Sequence, residues 1–361
     1  MRFPEFSGEW KKHTLGDVSE FSKERVNSQN LSSDNYVATE NMLQDYQGII
    51  ETSSVPTNTN VIKFNKGNVL LSNIRPYLKK VWFADKSGGC SADVFVFKAL
   101  SACIPDYLHY IIANDRFINF AMSGAKGVKM PRGDKEQIKT YEIGLPSIEE
   151  QKKIAKLLSL LDERIATQNK IIEDLKTLKS ALYHLIFSTI DNEFTSLGKI
   201  ASIVKGTQIN GTELLDEGDY YVMNGGIQPS GYYDKYNVPA NTISISEGGN
   251  SCGYVQYNTS PFWSGGHCYT IQRIDSSIIT EFLYHYLKYK ESEIMKLRIG
   301  SGLPNIQKKD LECFTIVNIP LQEQKGIVEL FNMFETKEIN ESKILSLLQK
   351  QKSYLLGEMF I

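Results

Sequence analysis

The stretch LPSIEEQKKIAKLLSLLDERI, from Leu145 to Ile165, returns in degraded form as IPLQEQKGIVELFNMFETKEI at Ile319. Setting Glu150-Gln151-Lys152 on Glu323-Gln324-Lys325 gives an offset of 173 residues. At that offset Ile154 meets Ile327, Leu157 meets Leu330, Leu161 meets Phe334, Leu175 meets Leu348 and Leu182 meets Leu355. The match continues upstream with small indels. TLGDVSEF (Thr14 to Phe21) echoes SLGKIASI (Ser196 to Ile203), and DYLHYII (Asp106 to Ile112) echoes EFLYHYL (Glu281 to Leu287). GVKMPRGDKEQI (from Gly127) echoes GLPNIQKKDL (from Gly302) more weakly. So long a period is no solenoid unit. It reads as a domain and its following helix, written twice, with an internal pseudo-two-fold.

The repeated stretch reads as a long helix. Pro146 stops the strand-like YEIGL, Ser147 offers an N-cap, and neither Gly nor Pro occurs again until Gly198. Leu158, Leu161, Ile165, Ile172, Leu175, Leu182 and Ile186 recur on alternating three- and four-residue steps, with Gln168 and Lys179 on the two steps left over. This is a heptad seam with polar interruptions. About 40 residues at 1.5 Å each make a rod of roughly 60 Å. The second copy presents Ile327, Leu330, Phe334, Leu345, Leu348, Leu355 and Met359. Two such helices in one chain can hide each other's seam, and the pseudo-two-fold favours an antiparallel pair.

The expected fold class is therefore α+β. Two pseudo-symmetric strand-rich domains, 1–145 and 191–318, are joined by long coiled-coil helices at 146–190 and 319–361. Runs such as NVLLS (from Asn68), DVFVFKA (from Asp93), TISIS (from Thr242) and CYTIQRI (from Cys268) read as strands between Gly- and Asn-rich turns. One helix follows in each domain, at Asp106–Met122 and Thr280–Leu297.

Composition narrows the class. The chain has 361 residues and a formal charge of -2, so any nucleic-acid contact must come from local basic loops. Five scattered cysteines form no CxxC pair, which favours reduced thiols and a cytoplasmic protein over a disulfide or zinc framework. No apolar run is long enough to span a membrane, and MRFPEFSGEWKKH has no signal-peptide pattern.

Asn60 to Trp82 contains five basic residues and no acid. Within it Asn73, Arg75, Tyr77, Lys79 and Lys80 lie in or beside the turn SNIRPY. A second glycine-rich loop, SGAKGVKMPRGDK, adds Lys126, Lys129 and Arg132. Arg and Asn can pair with guanine and adenine edges, and Lys suits phosphate. Each loop taken alone also reads as a solvated basic loop. In the second domain the candidates are Asn224, Gln228, Asn250, Tyr254, His267, Asn305, Lys308 and Lys309, with the last two placed where the first copy has its basic loop. Tyr257, Phe262 and Trp263 are aromatics that could pack on sugars or fill a core, and Trp263 in PFW suits the core.

RFPEFSGEWKKHTLGDV, LLSNIRPYLKKVWFA, the two P-x(2–3)-E-Q-K helix starts and SLGKIASI together resemble the specificity subunit of type I restriction–modification systems, over essentially the whole chain. The resemblance implies two target-recognition domains that each read half of a split duplex site, and two helices that form a spacer. It implies a non-catalytic chain that binds double-stranded DNA, two methyltransferase subunits and two restriction subunits. S-adenosylmethionine, ATP and Mg would then belong to those partners, with no cofactor or metal here. A rod of this length would set the readers one DNA turn or a little more apart. Base-contacting residues vary in that family, so the DNA candidates rest on side-chain chemistry and loop position alone.

Three other readings compete. A coiled-coil scaffold with two protein- or glycan-binding domains would suit the Asn- and aromatic-rich loops. A recognition subunit of another methyltransferase–nuclease architecture would look the same in sequence. Pro105-Asp106 with Glu150-Gln151-Lys152 mimics a PD…ExK nuclease, but the duplication explains the tripeptide as a helix start. No Walker loop, HExxH or methyltransferase N-P-P-[YF] loop occurs.

Overall fold

The computed structural model describes residues 2–52, 54–190, 193–300, 302 and 304–360. The expected boundary at 190/191 abuts two residues outside this description, and Leu303 of LPNIQKKD lies outside it as well. The chain divides into two compact units. The first comprises 1–168 with 344–361, and the second 169–343.

In the first unit an antiparallel sheet runs Ser19–Phe21, Val94–Ala99, Val69–Ser72, Val81–Phe83 in spatial order. In the second, Ser202–Lys205, Cys268–Gln272, Thr242–Ser246 and Val255–Asn258 repeat that order. The entry strands repeat too. Lys11–Thr14 pairs with Glu142–Leu145, and Phe194–Ser196 with Thr315–Val317. The shared Leu-Gly explains itself here. The amide of Leu15 donates to the Tyr141 carbonyl, and that of Leu197 to the Phe314 carbonyl. A Cβ on Gly198 would meet Glu312 Cβ at 2.9 Å, and one on Gly16 would meet Lys139 Cβ at 3.2 Å, so a side chain would push the short helix Leu197–Ile200 off Lys308–Glu312, and Leu15–Val18 off Lys135–Lys139.

The additions differ between units. The first has a second sheet of Arg25–Asn27, Asn60–Phe64, Gly88–Cys90 and Tyr36–Val37. The second has Tyr232–Tyr233, Tyr220–Met223 and Trp263–Ser264. The helix expected over Asp106–Met122 is two, Pro105–Ile112 and Asp115–Ser123, because Asn114 leaves the helix and caps the next one by accepting from the Arg116 amide. The helix expected over Thr280–Leu297 likewise breaks into Thr280–Tyr289 and Glu291–Lys296.

The repeated stretches form single helices, Ile148–Ser188 and Leu321–Met359, and each contributes to both units. Their E-Q-K starts carry one anchor twice. Gln151 is fully buried; its Oε1 accepts from the Ile104 amide at 2.9 Å, and its Nε2 donates to the carbonyls of Ala102 and Pro146 at 3.0 Å each. Gln324, equally buried, accepts from the Ile279 amide at 2.7 Å and donates to the carbonyls of Ser277 and Ile319 at 2.8 Å each. Each glutamine thus ties the start of a long helix to the loop before its domain's helix, satisfying backbone groups that would otherwise be buried and unpaired.

Within each unit the two helices run antiparallel. In the first, Asp162 pairs with Lys352 at 2.5 Å. In the second, the equivalent partners with chain order reversed, Glu335 and Lys179, pair at 2.9 Å. Leu158, Leu161, Ile172, Leu348 and Leu355 are buried, and Ile165, Leu175, Leu182, Leu330, Phe334 and Leu345 are half-buried. Gln168 is buried among them. The first unit's core runs from Leu15, Val18, Phe97 and Tyr107 through Ile154 and Leu158 to Leu348 and Leu355. The second unit's core joins Leu197, Ile243 and Phe282 to Tyr183, Phe187 and Phe331.

Candidate nucleic-acid interface

In the first unit the two basic loops form one structure. Strand Val69–Ser72 delivers Asn73 and Arg75 to its end, and the loop from Lys126 folds into a hairpin beside them. Lys126 and Arg132 exchange backbone hydrogen bonds at 2.9 Å, the Arg75 amide donates to the Pro131 carbonyl at 2.8 Å, and the Gly133 amide donates to the Asn73 carbonyl at 3.3 Å. Gly127 takes φ +99°, which a side chain would resist, and so permits the tight hairpin. Arg75 itself holds φ +51° at the turn into Pro76. Among the described residues, Asn73 Oδ1 and Arg75 Nε are buried with no hydrogen-bond partner.

The basic character is partly neutralised by acids from elsewhere in the chain, which reading the loop alone missed. Arg132 pairs with Asp93 at 3.1 Å, and Lys79 with Asp115 at 2.9 Å. Lys126 pairs with Asp134, and this hydrogen bond, with the amides of Gln137 and Glu136, holds the Asp134 carboxyl below its ordinary range. Lys80 donates to the Thr39 carbonyl at 2.7 Å. Lys129 and Tyr77 are exposed, and Lys129 has no ion pair among the described residues. Asp134, two residues past Arg132, was the one neutralising signal visible in the sequence.

The second unit builds the same frame with other side chains. Ile299 and Asn305 exchange backbone hydrogen bonds at 2.8 and 3.0 Å, and Gly300 takes φ +105°; all three lie 173 residues beyond Lys126, Arg132 and Gly127. Asn305 bridges to Gly248 as Arg132 bridges to Ile74. Glu247 therefore stands where the first unit has Asn73. The hairpin's counterpart is 299–305, so Lys308 and Lys309 do not replace the first unit's basic loop. They lie one element later, on the short helix Lys308–Glu312, where Lys308 reaches Glu312 at 3.6 Å.

Around Glu247 the structure gathers four segments. Asn224 Oδ1 accepts from the His267 amide at 3.1 Å, the Gly249 amide donates to the Pro304 carbonyl at 3.0 Å, and the Ile306 amide donates to the Glu247 carbonyl at 2.9 Å. The Glu247 carboxylate is buried beneath Lys205 at 2.5 Å, with His267 Nδ1 at 3.4 Å from its second oxygen. Burial and the Glu247 charge push the neighbouring Tyr269 phenol up to about 12. No signal in the sequence singled out Glu247. Asn250 and Gln228 are exposed on loops beside this cluster. Tyr254 is engaged elsewhere, its ring 4.0 Å from Lys288 Nζ. Phe262 is fully buried and stacked on Tyr221, which removes it from any sugar-packing role. Trp263 is half-buried and donates to the Thr207 carbonyl at 2.9 Å.

No group of three or more His, Cys, Asp or Glu side chains able to hold a metal occurs among the described residues. Glu150 of the nuclease-like pattern is wholly buried and bound by Arg2 at 2.7 Å. No helix among the described residues is long and apolar enough to cross a membrane.

Two blocks of the chain, residues 7–177 and 189–350, match the family described as type I restriction modification DNA specificity domain. A candidate type I specificity subunit from Mycoplasma genitalium is 23% identical over 97% of this chain and 94% of its own length. A second, from Mycoplasma pneumoniae, is 29% identical, but that match covers 46% of this chain and 44% of the relative. The crystal structure of a type I restriction–modification S subunit from M. genitalium superposes over 100% of this chain and 99% of its own with a TM-score of 0.69 at 21% identity, a likeness of fold.

Proposed function

The chain belongs to the type I restriction modification DNA specificity family, and from that premise we propose that it is a non-catalytic reader of a bipartite duplex site. Each unit reads one short block with its strand-end loop and hairpin. Bound methyltransferase subunits then methylate adenine at the site, and restriction subunits cleave DNA left unmodified. S-adenosylmethionine, ATP and Mg work on those partners. Two copies each of the methyltransferase and restriction subunits match the chain's internal pseudo-two-fold.

The observation that carries this reading is the duplicated frame with exchanged side chains. Both units hold a closing backbone pair, Lys126 with Arg132 and Ile299 with Asn305, against a strand end, but one offers Asn73, Arg75, Lys129 and Arg132, and the other Asn224, Asn250, His267 and Asn305. A fixed frame with variable side chains suits two readers of different sequence. A second stripe supports a partner role for the long helices. Ile171, Leu178 and Leu185 on the first, and Leu347 and Tyr354 on the second, are exposed at heptad spacing. The scaffold alternative gives no reason for the basic hairpin of the first unit.

Co-expression with a type I methyltransferase of the same system, followed by modified-base sequencing, tests the reading. The expected result is a methylated motif of two blocks with an unread gap. Replacing the hairpin 126–132 should alter one block and leave the other. A stable complex with no modified motif and no salt-dependent DNA retention would overturn it.

A further inference from the structure

The second unit has an open groove of about 640 Å³ between the end of helix Ile148–Ser188 and the start of helix Leu321–Met359. Ile327 and Leu330 line one side, Leu185, Ile186 and Ile190 the other, and Glu323 and Gly326 also line it. The repeat shows what such a face accepts. Glu323, Gly326, Ile327 and Leu330 are the counterparts of Glu150, Lys153, Ile154 and Leu157, and in the first unit Arg2, Phe3, Phe6 and Trp10 lie against Glu150 and Lys153. Arg2 clasps Glu150 through Nε and Nη2 at 2.7 and 2.8 Å, and Trp10 Nε1 donates to the same carboxylate at 3.3 Å. Phe3 and Trp10 pack on the first unit's core, and Lys153 Nζ lies 5.8 Å from the Phe3 ring and 5.6 Å from the Phe6 ring. Glu150 is buried as a result, whereas Glu323 is exposed and has no ion pair among the described residues.

We propose that this groove docks a segment of a separate protein that presents a guanidinium to Glu323 and aromatic rings to Ile327 and Leu330. A bidentate arginine on a carboxylate supplies both strength and orientation. Gly326 replaces Lys153, and a Cβ there would touch nothing within 4 Å, so a ring can settle deeper than Phe3 does in the first unit. A second copy of this chain is a poorer occupant, because its own residues 2–10 are held by its own Glu150. The inference concerns polypeptide binding and stands apart from DNA reading.

The test uses the full chain and a labelled peptide of residues 2–10, RFPEFSGEW, with a photoreactive group on its first phenylalanine. Saturable binding is expected, with crosslinks within 323–330. Glu323→Lys and Gly326→Trp should each weaken it by roughly tenfold or more. Both positions are exposed, and an unchanged far-ultraviolet circular dichroism spectrum verifies folding. A peptide with its arginine changed to glutamate should recover affinity for Glu323→Lys only. Three outcomes overturn the proposal: no saturable binding at about millimolar peptide, crosslinks confined to 150–157, or affinity indifferent to both substitutions. Self-association of the chain that Gly326→Trp abolishes would overturn it too, by making a second copy the occupant.

Discussion

Replacing Gln151 by leucine keeps the volume of a buried side chain and deletes three hydrogen bonds. The amide of Ile104 and the carbonyls of Ala102 and Pro146 lose their partner where Gln151 is fully buried. Leaving a buried polar group unpaired costs about 1–3 kcal/mol. Three such losses, partly offset by about 1–2 kcal/mol from burying an apolar side chain, leave a net cost of about 1–8 kcal/mol, with its middle near 4. That is a large part of the roughly 5–15 kcal/mol that holds a domain folded. Urea unfolding measures the total, and amide exchange locates it. Protection should fall first over 102–112 and at the start of helix Ile148–Ser188, while 277–289 keep theirs. Lys152→Ala, on the exposed neighbour, should cost less than about 0.5 kcal/mol. Gln324→Leu should reproduce the loss in the second unit, and the two should add, since they share no partner. A cost below about 1 kcal/mol for Gln151→Leu, or equal loss of protection in both units, would refute the account of why E-Q-K occurs twice.

Further expectations follow from other residues. Burial lowers both His109 and His285 to about 4, so the folded chain holds them neutral while the unfolded chain takes up protons near 6.5. Each therefore contributes about 3 kcal/mol above pH 6.5 that is lost as pH falls toward 4; urea midpoints between pH 7.5 and 4.5 should show it, and His109→Phe should flatten the first unit's slope. An unchanged slope would contradict it. Gly198→Ala should destabilise by about 1–3 kcal/mol, and Gly16→Ala by less, because the clearance is 2.9 Å in one and 3.2 Å in the other. Thermal unfolding would refute this if the order were reversed. Lys129→Ala should reduce the salt dependence of DNA affinity by about 0.9 in log–log slope, and Lys126→Ala by less, because Asp134 already holds Lys126. Equal effects in a binding titration across salt would refute that ranking.

The architecture was readable where one period persists over many residues. The seam from Leu158 to Ile186 and the offset of 173 residues identified the helices, their pairing and the duplication. The breaks at Ala113–Asn114 and at Lys290 were not readable, because one or two residues leaving helical geometry do not disturb an apolar pattern that resumes at once. The interface was half legible. Side-chain chemistry marked Arg75 and Arg132, but their company depends on distant segments: Asp93 and Asp115 arrive from other elements to neutralise two of the cations. Glu247 escaped notice for the same reason. Its equivalence to Asn73 becomes visible only once strand ends and hairpins are superposed. Phe262 shows the converse, an aromatic in a polar loop sequence that turns out to be core.

The membership of residues 344–361 in the first unit bears on how the protein is made. A ribosome delivers residues 1–168 early, yet Leu348, Leu355 and Met359, which complete that unit's core, emerge only after the whole of 169–343. The second unit is contiguous and can close as soon as it is clear of the exit tunnel. The first must wait, with the apolar face around Ile154, Leu158 and Leu161 uncovered, for roughly 10 s or more at ordinary elongation rates. The unit synthesised first is thus the last to finish folding, and during that interval it is the part of the nascent chain most open to chaperones and to misassembly.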